Sequence, residues 1–282
     1  MARLTWDNEG ERLYETGIKE VVLYVWDDDI VTAGTAADPQ PTSETFAAGT
    51  YYTRTGTGTT ADPYVYTKAE SFASTDTPTY YVATAKGAYA NGVAWNGITA
   101  VNETPTGAEA TDLYADDQKY LSLLSAEELE GTVEAYTYPD EWEQCDGSAS
   151  PVDGIVFGQQ ARKQFCLAYI TTVGNDTNGN DYGEKLHILY NCKASPSERA
   201  YATINDSPEA ITFSWSLKAT KASIDQETYG SHKLKNTALI TVDSKKTAST
   251  TYEAIKDAIQ GSQSGTAHVL MPNDVLALLS NG

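Results

Sequence analysis

The feature that most constrains the fold is a series of short apolar runs, each bounded by Gly, Pro, Asn or Asp. GIKEVVLYVW, QFCLAYITTV and AITFSWSLKAT are rich in β-branched and aromatic residues and are short for core helices. Runs of this length between turn residues are typical of β-strands. Tyrosine, which favours strands, occurs 19 times, against five each for Phe and Trp. The sequence therefore predicts a mainly β protein.

The predicted elements add up to a β-sandwich or barrel with a flanking α-helix. The first strand is expected to stop at the three aspartates that follow residue 26. Residues 115–118 form a predicted hairpin turn within 113–124. The predicted strands are 17–26, 92–103, the two arms of 113–124, 131–138, 164–173, 185–194, 210–220 and 237–243. The predicted helices are 139–145, a longer one capped at 249–251 and ending at Gly261, and 272–279.

The run AITFSWSLKAT alternates between large apolar and small polar residues. In a strand, alternate side chains point to opposite faces. One face is therefore predicted to lie in the core and the other to be polar. The candidate core residues are Ile211, Phe213, Trp215 and Leu217.

Residues 27–87 differ from the rest of the chain, being rich in Thr, Ala, Gly, Tyr and Pro with few Leu or Ile. The segment also carries an internal echo, in which ETFA leads to TYY and ESFA later leads to TYY again. This composition predicts a β-rich insertion, with residues 1–26 and 88–282 forming the core domain. The paired tyrosines of the echo motivate one alternative function, a carbohydrate-binding surface formed by Tyr51, Tyr52, Tyr80 and Tyr81.

The charge is strongly acidic and unevenly distributed. The net charge is −20, and residues 1–160 hold 27 Asp and Glu against seven Lys and Arg. Such a field repels polyphosphates, so it argues against a protein that grips nucleic acid by its backbone. It suits a protein that lies near DNA without adhering to it, and equally a solvated acidic surface.

Sequence motifs for chemistry are weak. Cys145, Cys166 and Cys192 are widely spaced without a CxxC motif, which argues against a disulfide framework or a zinc site. The loop GNDTNGNDYGEKLH lacks the Gly and Glu positions of an EF-hand, and His187 reads as a strand residue. No GxSxG, HExxH, Walker A or GxGxxG motif occurs. Acidic pairs of the glycosidase type are too common in this chain to be specific. We expect no enzyme activity, no cofactor and no metal.

Two further expectations concern location. MARLTWDNEG leads directly into charged residues, which predicts no signal peptide and synthesis in the cytoplasm. No apolar run approaches the ~18 residues of a membrane span.

Several motifs in order carry a family resemblance: WNG, LYAD, EAYTYPDE, GQQ and YATINDSPEAI. Across residues 1–26 and 88–279, the chain resembles the major tail tube proteins of long, non-contractile-tailed bacteriophages. The resemblance implies a β-sandwich with a flanking helix that assembles as stacked hexameric rings around a hollow lumen. It also implies tape-measure, tail tip and tail terminator proteins as partners. The protein would lie in the virion tail after assembly in the host cytoplasm.

On this interpretation DNA passes through the tube without specific binding, and acidic residues line the lumen. The candidate lumen-facing residues are Glu109, Asp112, Asp116 and Asp117. The same four carboxylates could instead form a solvated outer surface. The alternative function is a carbohydrate-binding β-sandwich adhesin of a virion.

Overall fold

The computed structural model describes residues 8–58, 64–73, 78–196, 199–201, 203, 210–225, 228–263 and 265–280. Strands account for 51% of the residues and helices for 11%, so the predicted mainly β class is confirmed. The strands are β1 (Leu13–Ala36), β2 (Tyr52–Thr55), β3 (Val65–Lys68), β4 (Tyr80–Tyr89), β5 (Val93–Ala94), β6 (Ile98–Thr106), β7 (Ala110–Ala115), β8 (Gln118–Leu124), β9 (Glu128–Ala135), β10 (Ala149–Val152), β11 (Ile155–Phe157), β12 (Phe165–Asn175), β13 (Gly179–Ala194), β14 (Phe213–Ala219), β15 (Thr228–Tyr229), β16 (His232–Lys233) and β17 (Leu239–Asp243). The helices are α1 (Glu143–Asp146), which follows a 3-10 turn at Asp140–Trp142, α2 (Ser249–Gln260) and α3 (Pro272–Ser280).

The chain divides into two compact units. Unit 1 comprises Met1–Val25 with Asn91–Gly282, and unit 2 comprises Trp26–Ala90. The sequence analysis put these boundaries after residues 26 and 87. The expected end of the first strand at the aspartates is wrong, because β1 continues to Ala36 and pairs there with β4. A shift in register between Asp27 and Val31 accommodates the aspartates within the strand.

In unit 1 the antiparallel strand order is β1–β12–β13–β14–β9–β6, with β17 paired to β13 and β5 to β1. Strand β13 changes partner along its length. Its residues 185–189 pair with β17, and residues 192–194 pair with β14. Between the two pairings, Asn191 has a φ of +52°, in the left-handed region. The change of partner divides the sheet into two parts.

The two parts of the sheet share one hydrophobic core. Side chains from β1, β12 and β13 pack in the same cluster as those from β9 and β14. Three tryptophans meet within it: the ring centroids of Trp95 and Trp142 are 4.5 Å apart, and those of Trp142 and Trp215 are 5.3 Å apart. Aromatic contacts at these distances add to the free energy gained by burial. This arrangement is consistent with the predicted sandwich or barrel.

The opposite face of β1 and β13 is covered by the C-terminal helical region. The Tyr24 hydroxyl donates to the Ile259 carbonyl in α2, and the Tyr190 hydroxyl donates to the Leu270 carbonyl over 2.9 Å. The predicted flanking helix is therefore confirmed. Its predicted polar cap is wrong, because Ala248 occupies the N-cap position without a side-chain hydrogen bond.

The predicted core strand is shorter than its alternating pattern. Trp215 and Leu217 are each 3% exposed, and the partly buried Phe213 packs against the core cluster. Ile211 is 37% exposed, so its assignment to the core is wrong. Strand β14 begins only at Phe213. Residue 211 lies outside the strand, where the alternation of a strand no longer directs side chains.

In unit 2 the strand order is β3–β2–β4–β1. The two copies of the sequence echo become neighbours, because Tyr52 pairs with Tyr81 across β2 and β4. Each copy also stacks its phenylalanine on a tyrosine: Phe46 on Tyr51 at 5.9 Å and Phe72 on Tyr80 at 6.1 Å. The echo therefore forms a shared aromatic cluster.

Candidate functional site

The most exposed element of unit 1 is the hairpin of β7 and β8. Every residue of both strands is exposed. Ala115 pairs with Gln118, so Asp116 and Asp117 form a two-residue turn, with φ of +50° and +58°. Positive φ at both positions is typical of the type I′ turns that match the twist of a hairpin. The predicted hairpin turn at 115–118 is therefore confirmed.

One face of the hairpin is polar. The Lys119 ammonium lies 2.7 Å from the Asp112 carboxylate, and the Ser122 hydroxyl also donates to Asp112. These hydrogen bonds, first from Lys119 and then from Ser122, lower the pKa of Asp112. Asp112 is thus compensated within its own hairpin.

The other face of the hairpin is apolar. Leu113 and Leu121 lie opposite each other and are 42% and 46% exposed, and Leu123 is 50% exposed. Leu124, Tyr114 and Tyr120 are more exposed still, at 71–75%. Leu113, Leu121 and Leu123 therefore form an apolar face open to solvent, while Tyr114 and Leu124, which alternate with Asp112 and Ser122, add exposed apolar surface to the polar face.

The base of the hairpin is held by a sharply bent backbone. Gly107 has a φ of +88°, and a Cβ at this position would collide with the carbonyl oxygen of Ala126. Beyond the bend, Glu109 and Ser125 are joined by two hydrogen bonds of 3.0 Å. In the chain, β6 comes before this hairpin and β9 comes after it. The bend at Gly107 marks the point where the β6–β9 pair ends and the separate β7–β8 pair begins.

The structure brings the four predicted acidic residues onto this one hairpin. Glu109 lies at the base, Asp112 on the polar face, and Asp116 and Asp117 in the turn. We call them the four hairpin carboxylates. No group of three or more His, Cys, Asp or Glu suited to a metal occurs among the residues that the structure describes. Whether these carboxylates face a lumen stays a prediction.

A second acidic surface was missed in the sequence analysis. On β9 the residues alternate strictly between buried and partly or fully exposed, which places Glu128, Glu130 and Glu134 on one outward face. Lys218 of the neighbouring strand β14 forms ion pairs with Glu128 and, at 3.8 Å, with Glu130. The signal was available in the run ELEGTVEA, where glutamates alternate with apolar or small residues.

A second exposed apolar hairpin, formed by β10 and β11, was also not predicted. Val152 is 62% exposed, and Ile155, Val156 and Phe157 are 53–54% exposed. A groove beside it is lined by Asp140, among other residues. Unit 1 thus has two separate apolar protrusions.

A polar cluster around His187 joins several strands of unit 1. The imidazole stacks on the Tyr169 ring, with centroids 4.8 Å apart, and its Nε2 and Nδ1 lie 3.5 and 3.6 Å from oxygens of Glu15 and Glu103. The neighbouring His187 imidazole, together with the hydrogen bond that the Tyr169 hydroxyl donates, lowers the pKa of Glu103 against the opposing effect of burial. Burial favours the protonated form of Glu15, but hydrogen bonds led by that from Lys185 lower its pKa. His187 therefore lies in a strand, as predicted, and its ring packs on Tyr169.

All three cysteines lie in the described part of the chain; they are buried, and none forms a disulfide. Burial raises the pKa of the Cys145 thiol to about 12 and that of Cys192 well above its usual value. Since the thiolate is the reactive form, these two side chains are poor nucleophiles. Cys166 is 0% exposed and lies in the core.

The tyrosines proposed as a carbohydrate surface mostly pack inside unit 2. Tyr52 and Tyr80 are each 3% exposed. Tyr51 and Tyr81 are partly buried, and Tyr81 makes an edge contact with Tyr66 at 5.8 Å. Tyrosines that stack on a sugar need exposed ring faces. Tyr52 and Tyr80 are buried, so their assignment to a carbohydrate-binding surface is wrong.

No family model matches the chain, and no curated protein matches it. Across the described ranges, no helix has both the length and the apolar character needed to cross a membrane.

Proposed function

We propose that the chain is a structural subunit that assembles with copies of itself into stacked rings, as the tube of a phage tail. The observation that carries this proposal is the β7–β8 hairpin, a two-stranded element exposed along its entire length. An isolated two-stranded hairpin is at best marginally stable in water. It needs another surface to cover it.

The apolar side of the hairpin offers the free energy for such a contact. Leu113, Leu121 and Leu123 are each about half exposed. Full burial of a leucine side chain is worth about 1.5–3 kcal/mol, so covering the remaining half contributes about 1 kcal/mol for each residue. Repeated at every subunit of a polymer, this contribution supports assembly in preference to a free monomer.

The edge of the sheet supports lateral contact. Among the described residues, β6 pairs with β9 alone. Pro105 lies in this strand, and proline within sheets is confined to edges, strand starts and bulges. The remaining unpaired backbone groups of β6 form an edge to which a strand of another copy can add. A ring built on this edge would hide it.

The acidic face of β9 suits the passage of DNA. Each Lys or Arg contact with a phosphate adds salt-dependent affinity. Glu130 and Glu134 lie on an outward sheet face, where they would repel phosphates. The proposal is therefore that this face, together with Glu109 and Asp112 of the hairpin, borders the lumen.

Assembly is tested by sedimentation velocity and negative-stain electron microscopy of the purified protein over a range of concentrations. We expect rings or tubes of uniform diameter. The double substitution Leu121→Ser and Leu123→Ser should leave a folded monomer. The matched control is Val65→Ser with Val82→Ser in unit 2, whose side chains are exposed to a similar degree, 54% and 43%. The control should assemble normally.

Two results would contradict the proposal. A wild-type protein that stays monomeric at every concentration would refute the structural role. Equal loss of assembly in both double variants would remove the hairpin as its basis. The carbohydrate-binding alternative has no comparable support, because two of its four tyrosines are buried.

A further inference from the structure

A groove in unit 1 combines apolar side chains with a cationic rim. It has a volume of about 560 Å³ and lies beside the small hairpin of β15 and β16. Ile224 and Leu234 are partly buried within it, while Lys221, Lys233 and Lys235 are exposed around it. We call this surface the lysine groove.

The three lysines of the groove form no ion pair with any residue that the structure describes. Within the described parts of the chain, no ion pair involves Lys221, Lys233 or Lys235. Asp225 lies next to Ile224 in the chain, and its carboxylate accepts a hydrogen bond from Asn273. The groove therefore carries more positive than negative side chains, although the net charge of the protein is −20.

The tip of the β7–β8 hairpin has the complementary character. Asp112 is paired with Lys119, whereas no ion pair involves Glu109, Asp116 or Asp117 among the described residues. Exposed apolar side chains, among them Tyr120 at 75%, surround this charge. The hairpin tip and the lysine groove are therefore complementary in charge, and both offer apolar side chains that a contact would bury.

We propose that the β7–β8 hairpin tip of one copy docks in the lysine groove of a second copy. The proposal rests on the proposed function and assigns the receiving surface for the hairpin. In this contact Asp116 and Asp117 lie against Lys233 and Lys235, and the tip covers Ile224 and Leu234. The two surfaces are different parts of the same chain. Their pairing is therefore heterologous, and it adds copies in one direction to close a ring or extend a stack.

Zero-length cross-linking of the wild-type assembly tests the contact without any substitution. A carbodiimide condenses a carboxylate and an amine in contact into an amide, with the carbodiimide taking up the water as a urea. Equal amounts of ¹⁴N- and ¹⁵N-labelled protein are mixed before assembly, cross-linked and digested. We expect mixed-isotope peptides that join the 116–117 turn to Lys233 or Lys235. Mixed-isotope peptides that join the turn only to other lysines would overturn the proposal.

Charge reversal gives an independent measure. Lys233→Glu with Lys235→Glu should raise the concentration at which assembly begins at least tenfold, which corresponds to about 1.4 kcal/mol. Adding Asp116→Lys and Asp117→Lys to the same chain should restore most of the loss. The matched control, Lys245→Glu with Lys246→Glu, changes the charge equally at two exposed lysines that do not line the groove. It should shift assembly less than threefold.

The outcomes separate this proposal from the one on which it depends. Rings or tubes with unchanged assembly of the groove variant would overturn the docking contact and leave the structural role standing. A wild-type protein that never assembles would overturn both. Circular dichroism of the dilute variants checks that they are folded, and the wild-type cross-links decide the question if they are not.

Discussion

Removal of the central tryptophan of the core should destabilise unit 1 severely. Trp215 is 3% exposed, and its ring lies 5.3 Å from that of Trp142 and 5.7 Å from that of Trp95. Truncation of a buried tryptophan to alanine costs about 3–5 kcal/mol. Since 1 kcal/mol shifts the melting temperature by about 2–4 °C in a domain of this size, Trp215→Ala should lower it by about 6–20 °C.

The assay is urea denaturation of the dilute, unassembled subunit followed by far-ultraviolet circular dichroism, which does not depend on tryptophan emission. Ile211→Ala is the matched control from the same sequence run, and as a surface change it should alter the free energy of unfolding by no more than about 0.5 kcal/mol. A loss below 1 kcal/mol for Trp215→Ala, or an equal loss for both variants, would refute the assignment of the core.

Three further predictions concern charge, the insertion and pH. Replacing Glu109 and Asp112 by lysine should make assembled tubes retain DNA with a steep dependence on salt, measured by co-sedimentation; tubes that ignore DNA at low salt would place these two residues away from the lumen. Replacing residues 28–87 by Asn-Gly, which joins the directly paired Asp27 and Ala88 by a two-residue hairpin turn, should preserve folding and polymerisation, as judged by circular dichroism and electron microscopy. Burial favours protonation of Glu184, but hydrogen bonds led by that from Lys256 outweigh it and lower its pKa to about 2. Its contribution to stability is therefore present above about pH 4.5 and lost as the pH falls towards 2, and Glu184→Gln should lose less stability than the wild type over that interval.

Strand pattern and turn chemistry were sufficient to predict the class of the fold and the β7–β8 hairpin. The turn was predictable because Asp tolerates positive φ, and both aspartates adopt it. The failures arose where tertiary contacts determine local structure. Three consecutive aspartates indicated the end of a strand, but pairing with β4 extends β1 through them. At Ile211 the alternating pattern continues beyond the point where the backbone leaves the strand.

The candidate site was less predictable than the fold. The acidic residues of the hairpin were predicted because they lie close together in the linear sequence. The glutamates on β9 are spaced by two or four residues, and only the pairing of β9 with β6 and β14 shows that they share one face. The lysine groove combines positions 221 to 236, which come together through an isolated bridge between Ala222 and Thr237. The local sequence pattern does not predict that bridge.

The acidic turn of the hairpin has a consequence for the time before assembly. A newly made subunit carries an exposed apolar strand pair, which is a site for indiscriminate aggregation. Charges that flank such a segment act as gatekeepers, because association with an arbitrary apolar surface would bring them together unpaired. Asp116 and Asp117 form the turn at the exposed end of the hairpin. In the proposed assembly they would delay polymerisation until the correct receiving surface is presented, and replacing both by asparagine should turn ordered growth into precipitation.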